Sequence, residues 1–263
     1  MDLLSMSKMG AILIMVIASL RLCLKNRLPR KAFLALWLLA ILRLCIPFTL
    51  PTPVSIYNFT SQFSSETTGV MPAQLVPSDN LLSGAMIENA ANQEAPTAPY
   101  SPLFTLWLIG ACATLFFFFI MHLLARREYS DSLPAKFPGF SDWMKEHSLY
   151  RKLQIRVSDR ILAPLTYGIL RPVIVLPKTI VRHQSVQLPF VLEHEYYHIR
   201  RLDVLWKYIL LITLCIHWFN PAVWLMFYLA NRDLELSCDE AVIKKFGMRH
   251  RYDYAMALLA LED

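Results

Sequence analysis

The sequence predicts an α+β membrane protein in which transmembrane helices precede a mixed domain of helices and a small sheet. Three observations carry that expectation. The 263 residues are 56% hydrophobic with a mean hydropathy of +0.40, too apolar for an ordinary soluble domain. Long apolar runs recur in the first half, each near the roughly 20 residues that cross a bilayer. Further on, His194-Glu195-Tyr196-Tyr197-His198 reads HExxH, the zinc-binding and water-activating pattern of metalloproteases when it lies on a helix.

The first apolar run, Met1 to Cys23, is broken by Lys8 and Arg21; the second is Ala32 to Leu50; the third, Leu103 to Leu124, is almost wholly apolar. A signal peptide is a poor reading of the first, because a second span follows within ten residues and no small-residue cleavage site separates them. Residues 1–50 are thus expected to form two spans and 102–125 a third. Lys25, Arg27, Arg30 and Lys31 crowd the short link between the first two. No Lys or Arg occurs from Leu44 through Ala125, where the charges are Glu66, Asp79, Glu88 and Glu94. The positive-inside rule places loop 51–101 and the N-terminus outside, and residues 126–263 in the cytoplasm. The net charge of +6 then reads as a topology and membrane-surface signal, and direct nucleic-acid binding is not expected.

Loop 51–101 holds six Pro amid Ser, Asn, Thr and Ala, and no chemistry is assigned to it. None of Cys23, Cys45, Cys112, Cys215 and Cys238 lies there, so no disulfide framework is expected, and Cys238 reads as a small packing residue.

Residues 126–138 read as a polar linker and 141–152 as a short helix. Leu153–Val157 alternates as a strand, Pro164–Gly168 is an extended segment with a turn, and Val173–Leu176 is a buried strand. Pro189 suits the first turn of the helix that carries the motif. A sheet edge beside such a helix suits a peptide substrate laid down as an added strand.

Residues four apart share a helix face, so His194 and His198 can hold one metal. Glu195 projects beside them, where its carboxylate can take a proton from water and pass it to a leaving amine. A catalytic zinc takes three protein ligands and keeps one position open. Ligands of one metal share one side of the bilayer, so the apolar segment after the motif must return before supplying a third. Asn220-Pro221 divides that segment, and the halves are short for full spans; hairpin 204–230 is expected to dip into the cytoplasmic leaflet. Beyond it, Glu235 and Asp239 lie four apart on a helix. Such a pair is ordinarily a solvated face, but ligand count makes Glu235 the third ligand and Asp239 an acceptor for the outer ring N–H of a ligand histidine. Asp203 competes for that acceptor role, with capping or a salt bridge to Arg200 favoured. His217 is either a membrane-interface residue or a group near the zinc, Arg232 a partner for an acid near the site, and Arg43 an anchor within its span.

The order HEYYHIRRLD, HWFNPAVW, NRDLELSCDEAV resembles the BlaR/MecR family of integral-membrane zinc metallopeptidases, the signal transducers of beta-lactam resistance and their sensor-lacking relatives. Arg43-Leu44 with Pro47, Pro164–Gly168 and Arg171-Pro172 extend the resemblance over essentially the whole chain. It implies a cytoplasmic gluzincin-type domain with ligands His194, His198 and Glu235, Glu195 as acid/base, and signal-dependent proteolysis, self-cleavage included, that leads to loss of a repressor. The expected partners are the bilayer, a protein or peptide substrate that is a transcriptional repressor or the chain itself, and a second copy in a homodimer. Full-length sensors continue into a fourth span and an external penicillin-binding domain, neither of which appears before Asp263, so beta-lactam recognition is not expected of these residues. The competing functions are a protein-maturation protease of the membrane CAAX-processing and heat-shock type, and a non-catalytic transducer that keeps zinc for structure.

Overall fold

The structure, a computed structural model, describes residues 3–24, 28–46, 102–137, 139–147, 149–182 and 188–259. Loop 51–101 lies outside them. The chain divides into two compact units, residues 1–47 with 107–263, and residues 48–106. Of the second, only the opening residues of one helix, 102–106, are described.

The described residues are mostly helical around a small mixed sheet. In chain order they form α1 (Leu3–Leu24), α2 (Arg30–Cys45), α3 (Pro102–Ser130), β1 (Leu133–Pro134), α4 (Phe140–Glu146), β2 (Gln154–Ser158), β3 (Leu165–Tyr167), β4 (Val173–Pro177), α5 (Lys178–Arg182), α6 (Leu188–Arg201), α7 (Asp203–Ile216), α8 (Pro221–Phe246) and α9 (Arg251–Leu259). Two of these, α1 and α3, are long and apolar enough to cross a membrane. The expected second span appears as α2, with 16 residues; positions 47–50 fall outside the described residues. The polar linker expected from residue 126 begins later, because α3 runs on to Ser130 through residues with good helix propensity. The short helix expected over 141–152 stops at Glu146.

The apolar helices pack through one core in which Ile14, Trp37, Leu44, Leu210, Leu214, Val223 and Met226 are buried. Helices α7 and α8 form the hairpin, and its turn follows from local chemistry. Pro221 suits the first turn of α8, and the Asn220 side chain accepts a hydrogen bond from the Ala222 N–H. The turn is tied to the ends of three other helices. Asn220 Nδ2 donates to the Ser7 hydroxyl at 2.7 Å, buried His217 donates from Nε2 to the Leu44 carbonyl at 3.2 Å, and the Trp107 indole donates to the Ile216 carbonyl at 2.9 Å. Trp218 lies against Gly110, where any Cβ would collide with its indole. The hairpin thus runs the depth of the bundle, further than hydropathy alone suggests.

The sheet has the order β1-β2-β4-β3, with β2 and β4 parallel and both outer pairs antiparallel. Strand β4 is central, and all five of its residues are buried, as its continuous apolar run demands. Its period of two sends Ile174 and Leu176 into a core with Val191, Tyr196 and Ile199 of α6, and Val175 towards Ile161 and Tyr129. Strand β1 escapes sequence reading because two residues show no period; its Pro134 suits an edge. Arg151 binds the sheet to α6, donating to the carbonyls of Ile169 and Ile199. Strand β3 is consequently an edge held alongside the motif helix.

Gly168 turns the chain from β3 towards β4 with φ at 87°, and a Cβ there would sit 2.5 Å from the Arg171 carbonyl oxygen. Gly168→Ala is expected to cost about 1–3 kcal/mol from the left-handed conformation, with the clash in addition, and to lower the thermal unfolding midpoint of the purified protein. A variant that unfolds like wild type would contradict this account of the turn.

Candidate metal centre

Helix α6 places the HExxH residues by packing its apolar face on the sheet. Val191, Leu192, Tyr196 and Ile199 are buried there, so His194 and His198 share the opposite side. Their Nε2 atoms lie 3.0 Å apart. Glu235, on α8, brings Oε2 to 3.1 Å from His198 Nε2 and 3.7 Å from His194 Nε2. The three donor atoms all lie within 4.8 Å of one another. Two nitrogens and a carboxylate oxygen form a donor set suited to zinc, whose tetrahedral bonds of about 2.0–2.1 Å separate two nitrogens by roughly 3.3 Å. The observed separation fits within a few tenths of an ångström.

Each ring is oriented from behind. His198 Nδ1 donates to Asp203 Oδ2 at 2.8 Å, and Asp203 is almost fully buried. His194 Nδ1 is 2.8 Å from the Tyr254 hydroxyl, which donates in turn to Asp239 Oδ1 at 2.7 Å; Asp239 itself stands 3.3 Å from the ring. Asp203 therefore contacts the histidine that sequence reasoning gave second place to Arg200, and the nearby guanidinium is that of Arg201, 3.7 Å away. The reason is the Leu202 backbone, in the left-handed region at φ 61°, which folds the start of α7 back beneath His198. Glu195 is buried, and Thr166 of β3 donates to its Oε2 at 2.5 Å. Lys207 Nζ holds the other oxygen of Glu235 at 3.0 Å.

Other candidates lie apart. His217 is buried at the hairpin turn on the Leu44 carbonyl, and Arg232 is exposed on α8. A second convergence, of His198 Nδ1, Asp203 and Cys238, is closed by its own hydrogen bonds. Burial pushes the Cys238 thiol up and keeps it protonated, so it packs as a small neutral group. Tyr254 and Lys207 were not singled out from sequence, and Thr166 entered only as part of the segment Pro164–Gly168; no spacing ties them to the motif.

A cavity of about 700 Å³ opens over the centre. His194, Glu195, His198 and Glu235 line it, with Thr166 of the edge strand and His122 of α3 among the walls.

The charges reinforce one another. Burial would lower His198, but hydrogen bonds to Asp203, Cys238 and Glu235 push it up to about 12. Burial likewise opposes the charged form of His194, and Asp239 and Glu235 raise it nonetheless. Burial would raise Glu235, yet its bonds with His194 and His198 hold it below the usual carboxylate range. Burial and Asp239 keep the Tyr254 hydroxyl protonated.

A family model described as BlaR1 peptidase M56 matches residues 1–262. The chain belongs to that family. Among relatives, the BlaR1 regulatory protein of Bacillus licheniformis is 35% identical over 120 residues, 46% of this chain and 20% of the relative. The methicillin resistance mecR1 proteins of Staphylococcus aureus and Staphylococcus epidermidis are each 23% identical over 232 residues, 85% of this chain. The chain spans 40% of their length. The family is one of metallopeptidases, and His194, His198 and Glu235 form a cluster of side chains that suits a metal.

Zinc binding should release protons. The space between the two Nε2 atoms admits one proton, and a metal must displace it. Isothermal titration of the metal-free protein near pH 7, in buffers of different ionisation enthalpy, is expected to show about one proton released per zinc. Affinity should fall as pH is lowered. In the metal-free protein the sign for stability is set by the raised histidines: their contribution is full below about pH 6.5 and is lost as pH rises towards their folded values. The depressed Glu235 contributes above about pH 4.3, and its share is lost as pH falls. Zinc binding without proton release would contradict this description.

Proposed function

We propose that this chain is an integral-membrane, zinc-dependent endopeptidase of the gluzincin type acting in regulated proteolysis. The observation that carries this reading is the convergence of His194, His198 and Glu235 in a cavity that also receives Glu195 and an edge strand. Zinc in this position would supply Lewis-acid polarisation of a peptide carbonyl and of water.

The chain's own residues provide the remainder. Glu195 takes the proton of the attacking water and returns it to the leaving amide nitrogen. Thr166 orients that carboxylate through the hydrogen bond to Oε2. Asp203 and the Tyr254–Asp239 pair hold the ring nitrogens that face the ligand, and Lys207 turns one oxygen of Glu235 away from it. The open side of β3 gives an extended substrate a strand to pair with, close to Glu195.

Regulated proteolysis is the reading for the biological setting, with a repressor or the chain itself as substrate and a homodimer as the assembly. The apolar surfaces of α1, α3 and the hairpin support residence in a bacterial inner membrane; Ile12, Val16, Leu106, Phe116, Ile212 and Trp224 are all exposed. The turn at 217–220 reaches the ends of α1, α2 and α3, which supports a hairpin that enters the apolar layer and returns. That return keeps α6 and Glu235 on one side, the cytoplasmic side, with the N-terminus outside.

Glu195→Gln should retain zinc while cleaving peptide substrates about 10²–10⁴-fold more slowly than wild type, both reconstituted in lipid vesicles. Undiminished cleavage by the variant sinks the assignment of Glu195. For topology, single cysteines replacing Val70 and Arg249 in a cysteine-free background should label from opposite sides of the membrane; labelling from one side would defeat the arrangement.

A further inference from the structure

The core of the helix bundle contains one group of charged residues at odds with its surroundings. Arg21, near the end of α1, and Asp233, on α8, are 5% and 0% exposed. Arg21 Nε lies 2.9 and 3.0 Å from the two carboxylate oxygens, and its Nη2 lies 2.9 Å from Oδ1. Trp37 of α2, fully buried, donates its indole N–H to Asp233 Oδ2 at 2.9 Å. Three helices therefore meet on one carboxylate, within an apolar core that includes Ile17, Ile41, Ala230 and Leu234.

Asp233 is two residues from Glu235. At about 100° per residue the two carboxylates point to nearly opposite faces of α8. One face meets Arg21 and Trp37, and the other meets His194, His198 and Lys207. Apolar packing alone tolerates small slides and rotations of a helix, because Leu, Ala and Met contacts are non-directional. A buried carboxylate does not, since a shift of one residue, about 1.5 Å and 100°, strands it among hydrocarbon groups. The same shift would carry Glu235 away from both histidines.

We propose that Arg21 is a positioning residue for the metal centre: its buried ion pair with Asp233, completed by Trp37, fixes the rotation and register of α8 and so presents Glu235 to the two histidines. The inference rests on Glu235 as third ligand. It makes the first helix of the chain a working part of the peptidase, coupled to the site through one rigid element rather than through contact with substrate.

The test compares the unsubstituted 263-residue chain with Arg21→Met, Arg21→Lys and Leu34→Ala, the last removing packing from the same core without touching Asp233. Zinc affinity is read by competition with a chromophoric chelator, and ligand geometry by the visible absorption of the cobalt-substituted protein. Arg21→Met is expected to weaken zinc binding on the order of tenfold or more and to alter the cobalt spectrum, with Arg21→Lys intermediate. Leu34→Ala is expected to lower the unfolding temperature and to leave both readouts unchanged. Unchanged affinity and spectrum in folded Arg21→Met overturn the proposal; should that variant not fold, unchanged readouts in Arg21→Lys overturn it equally. Equal loss of affinity in Leu34→Ala would show general loosening and also overturn it. A wild-type protein that binds no zinc would instead overturn the reading of the metal centre itself.

Discussion

Two imidazole nitrogens held 3.0 Å apart, facing one another, are the constraint around which the rest of this molecule is organised. Both are lone-pair donors in their neutral form, and their proximity is favourable only with a positive charge between them. Such an arrangement does not assemble by itself. It needs a helix pinned to a sheet to bring the rings together, acceptors behind each ring to fix the tautomers, and an acid in front to complete the charge balance. Asp203, the Tyr254–Asp239 pair and Glu235 meet these needs from three different elements.

Satisfying that constraint links parts of the chain that are distant in sequence. Glu235 must arrive from beyond a long apolar hairpin, and its helix is packed against α1 and α2 for much of its length. The site is therefore continuous with the apolar bundle. A second buried group strengthens this continuity: Glu193, next to His194 on α6, binds both His147 at 2.8 Å and Lys245 of α8 at 2.6 Å. Helices α6 and α8 are thus joined a second time, beside the histidine and carboxylate cluster, as a buried carboxylate requires when it is removed from water.

Much of this was legible in the sequence where chemistry is local. HExxH brings two histidines and a glutamate together on one helix because i and i+4 coincide on a helix face, and Asn220-Pro221 marks the hairpin turn because each residue has a defined task at a helix start. Strands β2 and β4 followed from their alternating or continuous apolar character, whereas β3 was legible only as an extended segment with a turn. Long-range contacts were not readable in the same way. Nothing in the spacing of Tyr254 announces that its hydroxyl will sit between His194 and Asp239, and Arg21 read only as a charge interrupting an apolar run. Asp203 lay between these cases. It is five residues from His198, but its use depends on a left-handed turn at Leu202, a residue type that gives no warning of that conformation.

Helix α3 carries one further implication. From Trp107, which touches the hairpin turn, to Tyr129, whose ring centre lies 4.7 Å from that of Tyr167 on the edge strand, the backbone is a single uninterrupted helix. Those positions are roughly 33 Å apart along its axis. One backbone therefore holds both the turn of the hairpin and the edge strand beside Glu195, and a break anywhere along it would leave those two places without their common support.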